Sequence, residues 1–353
     1  MTAKVRFLIE MRDTFPALDE SIYLNTAYVG LPSNSLMDFR AAFDRQYLRE
    51  GDQFKIKGYQ RLESQREEVA AFLGSDAAHT FITPNFSIGF RFLLDVLPTN
   101  TRTLILQDEY HSLENAWNER GLIAKRIFLS ATVEATIEAE LATGNYDVFT
   151  FSVVQYTSGV LLDLEVLARI KKRFPKVLFI ADGTQFIGAE AFNFKQSPLD
   201  VIAASGYKWL LAGFSNGLTC VNQTFLDFCG ITKEKLEAIV YAGHFDFLGA
   251  ASLAFATHQL NHLDFSTLLE EKNKITNYLR QGLAKRNLLD PIVNARKKHA
   301  SIFNISGDEP LYEQLQNKGV RCSQRAEGIR LSVHFYNNEN DIDRFFEVFD
   351  SRI

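Results

Sequence analysis

The chain has 353 residues, of which 46% are hydrophobic and 23% are charged, so it can bury one large core or two medium ones. A formal net charge of -5 at pH 7, without any block of basic residues, argues against nucleic acid or an anionic membrane as a partner and favours a small molecule. No apolar run reaches the roughly 18 residues of a membrane span, and the N-terminal stretch carries no export signal.

Short runs of branched apolar residues recur along the first two thirds of the chain, as in strands buried on both faces of a parallel sheet. The predicted strands are "TLILQD" (103–108), "VFTFSVV" (148–154), "VLFIAD" (177–182), "VIAASGY" (201–207) and "GLTCVN" (217–222). Helical patterns fall between some of them. In "LEVLARIKKRF" (164–174) the residues Leu164, Leu167 and Ala168 share one face, with Lys171 at its edge. This alternation predicts a layered α/β domain.

Beyond about Gly243 the pattern changes to long helical stretches, followed by the strand "IRLSVHFY" (329–336) and a closing helix that begins with "ENDIDRFF". We therefore expect a large α/β domain over residues 15–245 and a smaller α+β domain over residues 246–353. The segment 1–14 is expected to pack with the smaller domain.

Three cysteines, Cys220, Cys229 and Cys322, are too few and too scattered for a disulfide framework. No CxxC motif and no Cys/His cluster indicates a metal site. We expect reduced thiols in a cytoplasmic protein that holds no metal ion.

Two opposite charges follow two of the predicted strands. Asp182 closes "VLFIAD", and Lys208 comes directly after "VIAASGY". Ligands of open α/β sheets collect beyond the carboxyl ends of the strands, so both side chains are expected at the rim of one crevice. Position alone leaves two interpretations open, a structural ion pair and a functional pair.

Two further polar residues favour the functional pair. Gln185 lies three residues after Asp182, and Ser205 lies three residues before Lys208. Such a set suits a phosphorylated aromatic aldehyde cofactor, because an amine can form an imine with the aldehyde, a carboxylate can keep a pyridine nitrogen protonated, and a donor can hold the phenolate oxygen. The chain has no G-x-G-x-x-G motif after a strand and no P-loop, which excludes a nucleotide-dependent Rossmann enzyme.

In these residues the sequence resembles the class V aminotransferase family of fold-type I pyridoxal-phosphate enzymes, which includes cysteine desulfurases, kynureninases and an isopenicillin epimerase branch. The matching segments are "YLNTAYVGLPS" (23–33), "FITPNFSIGF" (81–90), "DEYHSLENAW" (108–117), "SVVQYTSGVLLDL" (152–164), "IADGTQ" (180–185), "SGYKWL" (205–210) and "IRLSVHFYNNENDI" (329–342). The resemblance implies pyridoxal 5'-phosphate as cofactor. It also implies a large domain with a mainly parallel seven-stranded sheet.

For the cofactor ring, the resemblance implies four residues. Lys208 would be the Schiff-base lysine, which later shuttles the α-proton of the substrate. Asp182 would pair with the pyridine nitrogen, and Gln185 would donate to the ring phenolate. His111 would stack over the pyridine face, although a lone histidine also fits a structural role.

For the cofactor phosphate, the resemblance implies Ser205 together with Asn85 and Phe86, at the start of a helix that favours an anion. The chain departs from the family here, because many relatives have a Gly-Thr-Thr type stretch where this one has Pro84, Asn85 and Phe86. It departs again at His244, where relatives often carry a threonine that reaches the phosphate of the neighbouring subunit. His244 is a candidate substitute for that donor or a packing residue. The resemblance implies a homodimer.

For the substrate, Arg330 is the expected receptor of the α-carboxylate, through a planar two-bond fork. Asn25, on the entry segment, is expected to help hold the same carboxylate. Tyr156 is expected to line the pocket, with a core position as the alternative. His334 fits either the core or a supporting position behind the site.

The reaction is the least determined feature. A desulfurase of the usual kind needs a mobile cysteine upstream of the arginine, but Cys322 lies only eight residues before Arg330, in a stretch that reads as an edge strand. We therefore expect an aminotransferase acting on a small amino acid through its Schiff base with the cofactor. The alternatives are a lyase of the cysteine desulfurase, selenocysteine lyase or kynureninase type, an epimerase, and a non-catalytic binding module.

Overall fold

The computed structural model describes residue 8 and residues 10–351. The α-helices are α1 (Ala17–Glu20), α2 (Asn34–Glu50), α3 (Asp52–Leu73), α4 (Phe86–Asp95), α5 (His111–Asn118), α6 (Val133–Leu141), α7 (Leu164–Arg173), α8 (Gln223–Cys229), α9 (Lys233–Val240), α10 (Phe247–His262), α11 (Phe265–Lys285), α12 (Pro291–Ala295), α13 (Glu309–Asn317) and α14 (Glu339–Asp350). The strands are β1 (Ile22–Tyr23), β2 (Thr80–Thr83), β3 (Thr103–Leu106), β4 (Ile123–Ile127), β5 (Val148–Ser152), β6 (Leu178–Asp182), β7 (Val201–Ser205), β8 (Gly217–Val221), β9 (Ile302–Ser306), β10 (Val320–Arg321), β11 (Ser323–Arg325) and β12 (Gly328–Ser332).

A seven-stranded sheet with the order β2-β8-β7-β6-β5-β3-β4 forms the centre of the molecule. The pairs from β7 to β4 are parallel, whereas β8 runs antiparallel to both β7 and β2. Every residue of β3, β5, β6, β7 and β8 is buried, because helices cover both faces of the sheet. The predicted α/β fold with a mainly parallel seven-stranded sheet is confirmed.

Two strands of this sheet were not predicted, and both lie at its edges. β4 contains the exposed residues Ala124 and Lys125 and the half-buried Arg126, so it lacks the continuous apolar run of a central strand. β2 has only four residues and leads directly into the turn before α4. Edge position and shortness remove the signal on which strand prediction depends.

Helix α7 begins as its sequence suggests but buries a different face. Asp163 caps its first turn by accepting a hydrogen bond from the Glu165 amide, 3.0 Å away. The buried residues are Leu167 and Ile170, whereas Ala168 is half-buried. Lys171 lies at the edge of this face, where its amine donates to the Val177 carbonyl oxygen at 2.7 Å and forms an ion pair with the buried Asp200 at 2.5 Å, so it does not snorkel to solvent as predicted.

A second, smaller sheet has the antiparallel order β11-β12-β9, and β1 pairs with β10 in parallel. The predicted strand 329–336 therefore ends at Ser332. The end of β12 contacts the segment that follows β1, because the Ser332 amide donates to the Leu24 carbonyl oxygen at 2.9 Å. Of segment 1–14, residues 1–7 and 9 lie outside the described residues. Arg12 forms an ion pair with Asp341 of α14 at 2.8 Å.

Within the described part of the chain, every helix is too short or too polar to pass through a lipid bilayer. The same residues gather no group of three His, Cys, Asp or Glu side chains of the kind that holds a metal ion.

Candidate active site

Parallel strands bring the predicted polar residues to one edge of the central sheet. Asp182 is the last residue of β6 and Ser205 the last of β7, and the two strands pair in parallel with Asp182 opposite Ala203. Lys208 follows β7 by three residues. The carboxyl ends of these strands therefore form one rim, as the sequence predicts.

The amine of Lys208 is buried among aromatic rings. Lys208 is only 7% exposed, and its Nζ lies 5.5 Å from the ring centroid of Tyr110 and 5.6 Å from that of Tyr207. Burial lowers the pKa of Lys208 to about 8; the charge of Arg330 lowers it further and that of Asp182 opposes both. A substantial fraction of this amine is therefore neutral, and nucleophilic, near physiological pH.

Asp182 is buried at the end of its strand and accepts a hydrogen bond from the Thr184 amide, 2.7 Å from Oδ1. Burial raises its pKa to about 6, against the stabilising Thr184 contacts and the positive charge of Lys208. Among the ion pairs of the described residues, none joins Asp182 to Lys208. The structural ion pair that the sequence left open is therefore not formed, and both charges remain available to a ligand.

A second buried carboxyl group, Glu109, lies beside this rim and was not predicted. It accepts from the Ser152 amide at 2.7 Å and from the Ser152 hydroxyl. Ser152 pairs directly with Asp182 across β5 and β6. Burial raises the pKa of Glu109 to about 7, and the negative charge of Asp182 adds to this rise. Glu109 lies just before a helix, and the sequence around it gives no sign that this carboxyl group is buried.

Gln185 ties three segments together. Its Nε2 donates to the Ala27 carbonyl oxygen at 2.9 Å, and its Oε1 accepts from the indole nitrogen of Trp209 at 2.7 Å. An amide nitrogen carries two hydrogens, so one donor remains beyond the Ala27 contact. The residue thus holds the entry segment against the loop of Lys208, and the predicted donation to a phenolate stays a prediction.

The three residues predicted for the phosphate meet at the N-terminus of α4. The Phe86 amide donates to Ser205 Oγ at 3.0 Å, and the Ile88 amide donates to Asn85 Oδ1 at 2.9 Å. The Asn85 side chain therefore caps the helix. Thr184 Oγ1 accepts from the Ser205 amide at 3.2 Å and joins this corner to Asp182. A helix N-terminus with a hydroxyl beside it favours an anion.

The structure places Tyr110, one residue before His111, next to the lysine. His111 is exposed at the first position of α5, and its ring centroid lies 4.2 Å from that of Tyr110. Tyr110 in turn meets Tyr156 edge to face at 5.4 Å. Tyr110 is therefore an aromatic ring close to the lysine amine, and the stacking predicted for His111 stays a prediction.

Arg330 is the most deeply buried arginine of the site, at 2% exposure. One Nη donates to the Tyr156 carbonyl oxygen at 2.7 Å, while Nε is buried without a hydrogen-bond partner in the described structure. Burial lowers the pKa of Arg330 to about 9; the charge of Arg325 adds to this and the hydroxyls of nearby tyrosines oppose it. A buried guanidinium without a carboxylate partner is expected to bind an anion.

Of the other predicted substrate residues, Tyr156 contacts Arg330 directly, and Asn25 contacts β11 and the residue before it. Asn25 accepts from the Ser323 hydroxyl at 2.5 Å and donates to the Cys322 carbonyl oxygen at 3.4 Å. Tyr156 offers its carbonyl to Arg330 and its ring to Tyr110. His334 is fully buried, and the other predicted position, His244, is exposed, where it contacts Tyr59 Oη at 2.8 Å.

All three cysteines are free thiols, and none is poised to react. Cys322 lies between β10 and β11 in the core of the small sheet, with Gln316 Nε2 3.5 Å from Sγ. Burial raises the pKa of Cys322 to about 12, and the same cause raises that of Cys229 to about 12 and that of Cys220 to about 11. The expectation that Cys322 occupies strand-like backbone agrees with this placement.

Arg325 is a second arginine of the site that sequence reasoning missed. Its guanidinium carbon lies 5.1 Å from the ring centroid of Tyr28, which is 52% exposed. Side chains alternate along a strand, so Ser323 and Arg325 lie on the same face of β11. Only the register of the hairpin shows that Arg330 lies on that face too.

The donor set fits a phosphorylated pyridine aldehyde. The site offers a buried amine with a lowered pKa at Lys208, a buried carboxyl group at Asp182 without a protein cation, and a helix N-terminus with a hydroxyl at Ser205. It also holds an aromatic ring beside the amine at Tyr110 and an orphaned buried donor at Arg330 Nε. Each group matches one part of the cofactor or one part of an amino acid.

The family model described as aminotransferase class-V matches residues 34–345. A probable cysteine desulfurase of Borreliella burgdorferi is 22% identical, with 97% of this chain and 94% of that protein covered. The cysteine desulfurase of Thermococcus onnurineus NA1 has a similar structure, with a TM-score of 0.81 at 18% identity over 98% of this chain and 97% of that one.

The cystine C-S lyase C-DES, in complex with its product cysteine persulfide, has a TM-score of 0.84 at 16% identity, covering 95% of this chain and 99% of that one. Another structure of C-DES has glycine covalently linked to its PLP cofactor. At these identities the likeness to the solved structures concerns the fold, and it agrees with the predicted fold type.

Proposed function

The chain belongs to the class-V aminotransferase family, and we propose that it is a pyridoxal-phosphate-dependent lyase that breaks the carbon–sulfur bond of a small amino acid. The predicted family is thereby confirmed. The aminotransferase reaction expected first has weaker support than its lyase alternative, because the curated relative is a probable cysteine desulfurase.

Pyridoxal 5'-phosphate is the cofactor on which this family depends, which agrees with the prediction. Lys208 would hold it covalently, and Asp182 would face the ring nitrogen. Ser205 with the first turn of α4 would take the phosphate, and Tyr110 would cover the ring. When bound, the cofactor withdraws electrons from the α-carbon of an amino acid, which makes the α-proton and a β-substituent easier to remove.

The residues of the chain would bind and orient the amino acid. Arg330 would receive the α-carboxylate through Nε and the free Nη, which supplies the partner that its buried Nε lacks. Lys208, with a pKa near 8, would take the α-proton on Nζ and give it up again after the sulfur has left. Tyr110 and Tyr156 would exclude water from the reacting carbon.

One observation carries the choice among lyases: the described residues place no reactive thiol at this site. Cys322 is the cysteine nearest to Arg330 in sequence, but its thiol is buried in the small-sheet core with a pKa of about 12. A thiol that stays protonated is a poor nucleophile. The sulfur is therefore expected to leave the substrate together with the group bound to it, and not to be transferred to a cysteine of the protein. The Cα–H and Cβ–S bonds break, the sulfur keeps the bonding electrons, and hydrolysis of the remaining fragment yields pyruvate and ammonia.

The test is product analysis with cystine and with cysteine as substrates. We expect pyruvate, ammonia and a persulfide or sulfide in solution, and we expect Cys322→Ala to keep this activity. Alanine release with sulfur bound to Cys322 would instead identify a desulfurase of the usual kind. A 2-oxo acid formed with conversion of the cofactor to its amine form would identify an aminotransferase. A protein that takes up no cofactor would support the binding-module alternative.

The assembly that we propose is a homodimer. Large apolar side chains are exposed on α2 and the start of α3, namely Tyr47, Leu48, Ile56 and Tyr59, and Leu48 is 85% exposed. An exposed apolar patch of this kind indicates a protein contact. His244 contacts Lys55 and Tyr59 on this same surface, so it lies where a partner subunit would meet it. Sedimentation velocity of wild type and Leu48→Lys would test this assembly. The free thiols fit a cytoplasmic location.

A further inference from the structure

Arg325 lies on the same sheet face as Arg330. In the hairpin of β11 and β12, Ser323 is opposite Arg330 and Arg325 is opposite Gly328. Directly opposed residues of an antiparallel pair point to one face, and residues two apart on a strand share that face. The two arginines are therefore offset by two residue steps, roughly 7 Å along the strands.

The guanidinium of Arg325 forms no ion pair with any described residue. Its Nη1 donates to the Gln324 carbonyl oxygen at 2.7 Å, and the group stands over the ring of Tyr28. Its charge acts on the site: burial is the main cause of the lowered pKa values of Lys208 and Arg330, and the charge of Arg325 lowers both further. Arg325 is half-buried, so part of its side chain is accessible to a ligand.

One carboxylate does not balance these charges. The α-carboxylate of an amino acid would neutralise Arg330, and the negative charge of Asp182 faces the lysine. Arg325 would then remain a cation without a partner at the open end of the same cleft. Guanidinium groups in such positions bind carboxylates and related oxyanions through two parallel hydrogen bonds.

We propose that Arg325, backed by Tyr28, binds a second anionic group at the far end of the substrate. The substrate class is then an amino acid that carries a second carboxylate, or a comparable oxyanion, beyond the sulfur. In cystine, for example, the second half of the disulfide supplies that carboxylate. Arg330 holds the near carboxylate and Arg325 selects for the far one. The identity of the sulfur-bearing substrate rests on the proposed function, whereas the two-anion spacing does not.

The test is calorimetric titration of the pyridoxal-phosphate-loaded enzyme with glutarate and with pentanoate. The two ligands have the same number of carbons but two and one carboxylates, and neither has an amine or a sulfur that can react. We expect wild type to bind glutarate at least ten-fold more tightly than pentanoate. Arg325→Gln should remove this preference, while Arg330→Gln should weaken both ligands.

Arg321→Gln is the matched control, because Arg321 is an exposed arginine of the adjacent strand that contacts Gln316. It should keep the wild-type preference, and far-ultraviolet circular dichroism should show that all variants fold. Equal affinities for glutarate and pentanoate in wild type would overturn the proposal. An equal loss of affinity for glutarate and for pentanoate in Arg325→Gln would also overturn it, because it would mean that both arginines bind the same carboxylate. Because no turnover is measured, either result is independent of the products formed from cystine.

Discussion

The imidazole of His334 donates from Nε2 to the main-chain carbonyl oxygen of Trp209, 3.0 Å away. Its Nδ1 accepts from the Phe335 amide at 2.9 Å, which fixes the neutral tautomer. Trp209 follows Lys208 directly and binds Gln185 through its indole nitrogen. A single buried side chain therefore joins the strand end beyond Arg330 to the loop that carries the lysine.

We expect His334→Ala to lower the free energy of unfolding by about 2 to 4 kcal/mol, because it leaves a cavity and an unpaired buried carbonyl. His334→Gln keeps a donor and should lose less. Urea denaturation followed by tryptophan fluorescence measures both. Equal losses in the two variants would show that packing, and not the hydrogen bond to Trp209, carries the effect.

The same histidine should make the fold sensitive to acid. Burial lowers the pKa of His334 to about 3, whereas a free imidazole titrates near 6.5. Between these pH values the folded state thus binds fewer protons than the unfolded state. The stability that neutral His334 contributes is therefore fully present above about pH 6.5 and is lost as the pH falls, by up to roughly 1.4 kcal/mol per pH unit. Urea titrations at pH 7 and pH 5 should show a smaller pH effect in His334→Gln. A slope identical to that of wild type would contradict this assignment.

Glu109 should act in the opposite direction. Its pKa rises to about 7 in the fold, so the stability it contributes is present below the ordinary range of glutamate and is lost as the pH rises through 7. Gln in its place can accept from the Ser152 amide and donate to the Ser152 hydroxyl, as protonated Glu109 would. In the cofactor-free protein, Glu109→Gln should therefore gain stability over wild type by up to about 3 kcal/mol at pH 8, and little at pH 5. Urea titrations at both pH values measure the difference; a gain of the same size at both would contradict the titration.

Lys208 should capture pyridoxal phosphate faster as the pH rises through about 8, because only the neutral amine attacks an aldehyde. Stopped-flow absorbance of the cofactor-free protein measures this rate. After borohydride reduction, peptide mapping should find the cofactor on Lys208, and Lys208→Ala should yield no labelled peptide and no turnover. A rate that does not change between pH 7 and pH 9 would mean that the amine is not the titrating group.

Tyr110 and His111 offer a paired test of which ring covers the cofactor. We expect Tyr110→Ala to weaken cofactor binding about ten-fold, since an aromatic contact contributes about 0.5 to 1.5 kcal/mol beyond the area it buries. His111→Ala, which removes an exposed ring, should change binding by less than about two-fold. Equilibrium dialysis with the reduced, non-covalent cofactor measures both. The reverse order would support the prediction made from the sequence, in which His111 covers the ring.

The sequence predicted the central sheet well because its strands are buried on both faces and therefore consist of continuous apolar runs. It predicted Asp182, Ser205 and Lys208 at one rim because parallel strands end on the same side. It did not predict Arg325 or Tyr110. The position of Arg325 depends on the register of a hairpin, and that of Tyr110 on the first residue of a helix; both are set by tertiary packing that a local pattern does not encode.

Residues near the two ends of the described chain complete the candidate site, since Leu24 pairs with Ser332 and Asn25 contacts Ser323. During synthesis, Lys208 leaves the ribosome more than a hundred residues before Arg330 does. A nascent chain thus contains this lysine before it has Arg330, one of the groups that lower the pKa of the amine. Docking of the small sheet, which carries Arg330, is therefore the step that completes the candidate site.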